Sequence, residues 1–268
     1  MTTGNPRGMN VFDPNTHIQT ITIVGLGGTG AQVARSVARM VYDMQQARLH
    51  TPQIVLIDPD KVEQKNVGRQ LYVEADVGRS KAHVLMHRFN MALGLDIAAI
   101  DQPVSAERHF ERWGGLIVGA VDNHLARREL AKVNGAIWID AGNHFNAGQV
   151  VIGNTGDHEI AMRYIDGQNG KYAYLPHAGL LFPALLEPEL QAKLQPEPER
   201  SCAELVAARE QDLLVNDWMA VAAAQYIYKL LHRQPITSFV SYISADGMSV
   251  RSLPICQDEL LPYLQVEV

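Results

Sequence analysis

The 268-residue chain contains only two cysteines, Cys202 and Cys256, and neither stands in a CxxC pair. That excludes a cysteine-built zinc knot and a disulfide framework. No run of Lys and Arg occurs, and 29 acids against 23 bases leave a net charge of −6. A nucleic-acid-binding surface is therefore not expected as the main feature. Long apolar runs are missing too. The most apolar helix candidate, "WMAVAAAQYIYKLL" (218–231), is too short and Ala-rich to span a membrane. The first twenty residues lack the apolar core of a signal peptide, so the expected compartment is the cytoplasm. No internal repeat is found.

What is present fits an ordinary globular protein, with 47% hydrophobic and 19% charged residues. The length suits one large α/β domain. "TITIVG" (20–25) is a β-branched run leading into glycines, and residues 29–45 carry apolar side chains at helical spacing. "QIVLID" (53–58), "GGLIVGAVD" (114–122) and "AIWIDAG" (136–142) read as buried strands without polar alternation, as a parallel sheet covered on both faces requires. Helix-like segments at 79–93 and 124–135 and a strand-like one at 96–104 complete a βαβα order. The expected architecture is a doubly wound, Rossmann-like, mostly parallel sheet. "AGQVVIGN" (147–154) adds an antiparallel strand, and two more strand-like runs follow at 237–244 and 248–255. Between them lie a poorly periodic stretch, 155–200, and a helix over roughly 203–233. We divide the chain into an extension (1–19), a nucleotide-binding core (20–150) and a partner-binding remainder (151–268) within the same domain.

"GLGGTG" places Gly25, Gly27, Gly28 and Gly30 at a strand-to-helix junction, the context in which GxGxxG carries meaning. Glycines allow a tight turn and let the backbone approach phosphates, which then meet N–H groups at a helix N-terminus. Asp58 ends the second strand, where an acid commonly accepts hydrogen bonds from ribose hydroxyls. "DPDKVEQKNVGRQ" and "DVGRSKAHV" then bring Arg69, Gln70 and Lys81 near the same turn. Two cations beside a phosphate site suit chemistry at the phosphates better than hydride transfer, where pyrophosphate is only a handle. Asp122 ends a later strand, at the sheet edge where ligands bind, and is a natural Mg²⁺ ligand beside a triphosphate.

Taken together, "GLGGTG", "DPDKVEQKNVGRQ", "GRSK" and "VDN" resemble, in order and spacing across 20–145, the ThiF/MoeB/ubiquitin-activating superfamily of adenylating enzymes. "EPERSCAE" (197–204) looks like the cysteine-bearing crossover of ThiF-type members, and the overall length is most similar to the ThiF-family protein of plasmid-associated PRTRC gene clusters. The resemblance implies a homodimer that uses ATP and Mg²⁺ to adenylate the C-terminal glycine of a small ubiquitin-like, β-grasp protein. It implies that Gly25, Gly27, Gly28 and Gly30 cradle phosphates and Asp58 holds the ribose. Asn66, Arg69 and Lys81 would position phosphates and stabilise charge, and Asp122 would hold the metal. The two zinc-binding CxxC pairs of many relatives are absent, so no zinc is expected. An arginine that relatives send into the neighbouring subunit's site has only Arg7 as a counterpart.

Several residues admit two readings. Cys202, beside Arg200 and ahead of a helix, could form a thioester with the activated carboxyl or be a small apolar residue at a helix entry. Asp60 could orient a ligand group or only fix the "DPD" turn. Cys256 is expected to be inert, and His124, His144 and His177 show no metal-ligand spacing. A NAD-dependent oxidoreductase and a non-catalytic nucleotide- or partner-binding scaffold are the alternatives on the same fold.

Overall fold

The computed structural model describes residues 10–110, 115–187 and 214–265. Ten strands are formed by β1 (Val11–Phe12), β2 (Thr20–Val24), β3 (Gln53–Ile57), β4 (Ala98–Ile100), β5 (Gly115–Gly119), β6 (Ile137–His144), β7 (Ala147–Gly153), β8 (Lys171–Tyr172), β9 (Ser238–Ser244) and β10 (Ser249–Pro254). The helices are α1 (Gly28–Gln46), α2 (Lys81–Leu93), α3 (Ala106–His109), α4 (His124–Ala131), α5 (His158–Arg163), α6 (Ala178–Leu181), α7 (Val215–Leu231) and α8 (Gln257–Leu264).

Eight strands share one sheet in the order β10-β9-β7-β6-β5-β2-β3-β4. From β4 to β6 every neighbour pair is parallel, whereas β6–β7, β7–β9 and β9–β10 are antiparallel. The expected mostly parallel sheet with an antiparallel extension is what forms. The strands of the parallel half are continuous apolar runs because helices cover both faces; Ile21, Ile23, Leu56, Leu116 and Ile139 are completely buried. In α1 the buried positions Val33, Ala34, Val37, Ala38, Val41 and Met44 recur at three- and four-residue steps and face the core. Ser80 caps α2, its side chain accepting from the His83 N–H, and Gly94, with φ of +65°, ends that helix.

Three expectations change in extent. The segment 96–104 pairs only over Ala98–Ile100, and the helix expected over 124–135 stops at Ala131. The aperiodic stretch after 155 holds α5, β8 and α6, each too short to show a period. β1 pairs with β8 in a separate two-stranded sheet. Asn10 Nδ2 also donates to the Ile255 carbonyl at 2.8 Å, and the Phe12 N–H to that of Ile236 at 2.8 Å.

His177 caps α6 by accepting the Leu180 N–H and lies edge-on to Trp138, with ring centroids 5.0 Å apart. Burial lowers its pKa to about 4. Between pH 6.5 and about 4 the unfolded chain binds a proton there that the folded chain does not, so stability rises with pH across that window. His177 is thus expected to cost roughly 3 kcal/mol of stability as pH falls from neutral towards 4. Urea denaturation of His177→Asn, which keeps a capping side chain, should show a flatter pH dependence than the parent.

Candidate functional site

The direction in which strands are added reverses between β2 and β5, and a crevice opens there at their C-terminal ends, the usual ligand position in such sheets. The turn after β2 and the loop after β5 touch: the Ala120 N–H donates to the Val24 carbonyl at 2.8 Å. Gly25 has φ of +83°, and a Cβ there would lie 2.5 Å from the Ala120 oxygen. A Cβ on Gly30 would lie 1.7 Å from the Gly25 oxygen. These two glycines close the turn. Gly27 is different, since a Cβ there would meet only Gln70 Nε2, at 3.8 Å. That opening is where a ligand can approach the backbone.

Asp58 ties this turn to the loop after β3. Its Oδ2 accepts the Leu26 N–H at 2.5 Å and its Oδ1 the Asp60 N–H at 2.8 Å. Burial pushes the Asp58 carboxyl above its usual range, against the attraction of Lys81 and these two donors. Each oxygen retains a lone pair for a further donor such as a ribose hydroxyl. Tyr72 holds the turn from the other side, its buried phenol donating to the Leu26 carbonyl at 2.8 Å.

Asp60 does more than fix a turn. Its carbonyl accepts the Lys81 N–H at 3.0 Å, and its Oδ2 lies 3.0 Å from Lys81 Nζ. Lys81 is buried and Asp60 exposed, so the ion pair ties the ammonium at the start of α2 to the loop after β3. Asn66, also buried, caps its own 3₁₀ turn by accepting the Glu63 N–H at 2.8 Å. Its carbonyl accepts the N–H groups of Arg69, at 3.2 Å, and Gln70, at 3.0 Å. Asn66 therefore shapes the "GRQ" loop through hydrogen bonds within the chain; Arg69 itself is half-buried. The buried Gln70 Oε1 has no hydrogen-bond partner among the described residues.

Asp122 is exposed and precedes Asn123, which caps α4 by accepting the Ala126 N–H at 2.8 Å. One turn on, Arg127 Nε lies 3.2 Å from Asp140 Oδ1 on β6, and both residues are buried. Burial pushes the Asp140 carboxyl up, Arg127 opposing it. Sequence reasoning missed this pair, and missed a second group: Asn216 Oδ1 accepts from Thr29 Oγ1 at 3.1 Å and from Asn143 Nδ2 at 2.6 Å. The one available signal was the polar pair Asn216–Asp217 ahead of an apolar helical run.

The structure thus gathers Gly25, Gly27, Gly28, Gly30, Asp58, Asp60 and Lys81 in one bonded unit, with Gln70 against it and the Asp122 loop beside it. Arg7, Arg200 and Cys202 lie outside the described residues. The open glycine turn offers N–H donors to phosphate oxygens, whereas the orphaned Gln70 Oε1, an acceptor, suits a ligand's hydroxyl or amino donor. Among the described residues no cluster of three or more His, Cys, Asp or Glu could hold a metal. Mg²⁺ bound chiefly by phosphates and water needs only one or two protein carboxylates, and the exposed Asp122 is a carboxylate of the kind that would serve.

The family model of the ThiF family matches residues 16–259. The chain belongs to the ThiF family. No curated protein matches the sequence. Among solved structures this ThiF-family chain is similar to Escherichia coli MccB with ATP, at 18% identity and a TM-score of 0.54, covering 89% of this chain and 64% of that one. It is similar to E. coli MccB with MccA-N7isoASN, at 16% identity and a TM-score of 0.56, covering 89% and 65%. It is also similar to PaaA, at 15% identity and a TM-score of 0.57, covering 88% and 73%. At these identities the likeness is one of fold, and the chain spans about two thirds of MccB's length. No helix among the described residues is long and apolar enough to cross a membrane.

Proposed function

We propose that this ThiF-family protein is an adenylyltransferase that activates the C-terminal carboxylate of a small protein, of the ubiquitin-like, β-grasp type, using ATP. The observation that carries this reading is the Asp58–Asp60–Lys81 unit built onto the glycine turn. A dinucleotide oxidoreductase needs the turn and the ribose acid but no lysine held beside them. E. coli MccB binds ATP in one structure and is combined with MccA in another. Both support a nucleotide and a peptide or small-protein partner here.

In the proposed reaction one oxygen of the partner's carboxylate attacks the α-phosphorus. A P–O bond forms to that oxygen, the α–β bridging P–O bond breaks, and pyrophosphate leaves with the electron pair. The products are an acyl-adenylate and pyrophosphate. Carboxylate and polyphosphate repel, so cationic groups must hold both before in-line attack. Asp58 orients the ribose, N–H groups of the Gly25–Gly30 turn donate to phosphate oxygens, and Asn66, Arg69 and Lys81 position the phosphates and stabilise charge as it develops. Asp122 would hold Mg²⁺, which when bound neutralises phosphate charge. We further propose a homodimer; Arg7 is the one arginine in residues 1–19 that a crossing segment could supply. A thioester on Cys202 would follow adenylation, and the PRTRC-type resemblance favours conjugation over sulfur delivery.

ATP–pyrophosphate exchange with a panel of small proteins ending in glycine tests this reading. Exchange that depends on one partner is expected. Absence of exchange with every partner would overturn the adenylation reading.

A further inference from the structure

The Asn143–Asn216–Thr29 group is absent from the motifs that define the site, yet it meets the glycine turn directly. Asn216 is the second residue of α7. A Cβ on Gly28 would lie 2.7 Å from Asn216 Nδ2 and 2.8 Å from its Cγ, so the carboxamide rests flat against a backbone that only glycine leaves bare. Its Oδ1 receives two donors, Thr29 in the first turn of α1 and Asn143 near the end of β6. Two donors fill the oxygen's lone pairs and fix which end of the amide is which. The Nδ2 end, with its partial positive charge, therefore faces the N-terminus of α1. That end of a helix favours anions.

We propose that Asn216 is a positioning residue for the polyphosphate. It locks the first turn of α1 to β6 so that the turn's N–H groups are held ready, and it keeps a neutral, donor-bearing group where a carboxylate would repel phosphate. The inference rests on the nucleotide reading above and adds a residue that the family motifs do not contain.

Asn216→Asp is the informative variant, since it keeps the shape and both accepted hydrogen bonds but adds a negative charge. ATP and adenosine binding to the full chain can be compared by saturation-transfer NMR and calorimetry. The expected result is at least a tenfold loss of ATP affinity, with adenosine affinity within twofold of the parent. Asn216→Ala, which leaves Thr29 and Asn143 without their acceptor, should lose ATP affinity about fivefold and again spare adenosine. Unchanged ATP binding in Asn216→Asp would overturn the proposal. A parallel loss of both ligands would overturn it as well, because that is the signature of a purely structural residue. If the parent itself binds adenosine but gains nothing from the triphosphate, the nucleotide reading fails first.

Discussion

Asp122→Ala is expected to lose ATP–pyrophosphate exchange by at least about 10²-fold, with a thermal midpoint indistinguishable from the parent. The two halves of that expectation have separate physical grounds. Asp122 is exposed, so its truncation opens no cavity and strands no buried partner. Its loop nevertheless lies against the glycine turn through the Ala120–Val24 hydrogen bond, where triphosphate charge would be greatest. Losing a carboxylate at a metal-assisted phosphate site removes stabilisation of the transition state rather than of the fold. Exchange assayed over a range of Mg²⁺ concentrations checks this, and recovery at high Mg²⁺ would locate the defect in metal affinity. Cys202→Ala serves as the contrast. It should leave exchange intact and remove only a thiol-labile adduct, since adenylation precedes any thioester. Equal loss in both variants would make Cys202 structural.

Arg127→Ala should destabilise the protein by about 3–5 kcal/mol, measured by urea denaturation at pH 7. Asp140 is fully buried, its Oδ2 has no partner among the described residues, and Arg127 is the cation that compensates it. Without the guanidinium an isolated carboxylate would remain in the core. The Asp140 carboxyl is already pushed up by burial, and losing Arg127 pushes it further. The folded variant then binds a proton that the unfolded chain, with an ordinary aspartate, has released. Its deficit should therefore be largest at pH 7 and shrink as pH falls. Adding Asp140→Asn to the variant should recover part of the loss. A deficit independent of pH would show that the lost packing of Arg127 outweighs its charge.

The sequence made the framework legible wherever a local rule was enough. Gly25 to Gly30 lie at a strand–helix junction, and apolar runs without alternation mark a sheet covered on both faces. Lys81 and Asp58 were recognisable as residue types at meaningful places. Their connection through Asp60 was not, because it joins positions 21 residues apart. The Arg127–Asp140 pair spans 13 residues and the Thr29–Asn216 bond 187, and no periodicity encodes such meetings. The cap that the Asn66 side-chain oxygen makes on its own turn was likewise not legible, while its Nδ2 keeps the donor a phosphate contact would use. Short elements were invisible for a simpler reason. α5, β8 and α6 have six, two and four residues, fewer than two repeats of a helical pattern. α8 was hidden by Pro262 and by polar residues in its first turn.

The small β1–β8 sheet bears on how this chain matures on the ribosome. Residues 10–12 are made before all of their partners Lys171, Tyr172, Ile236 and Ile255. β2 and β3 can begin to pair while synthesis continues, but residues 10–12 lack their full set of partners until Ile255 has emerged. Closure over 245 residues thus waits until Ile255 has been made. A nascent chain stalled before residue 236 should expose this segment to protease, whereas the released protein should shield it.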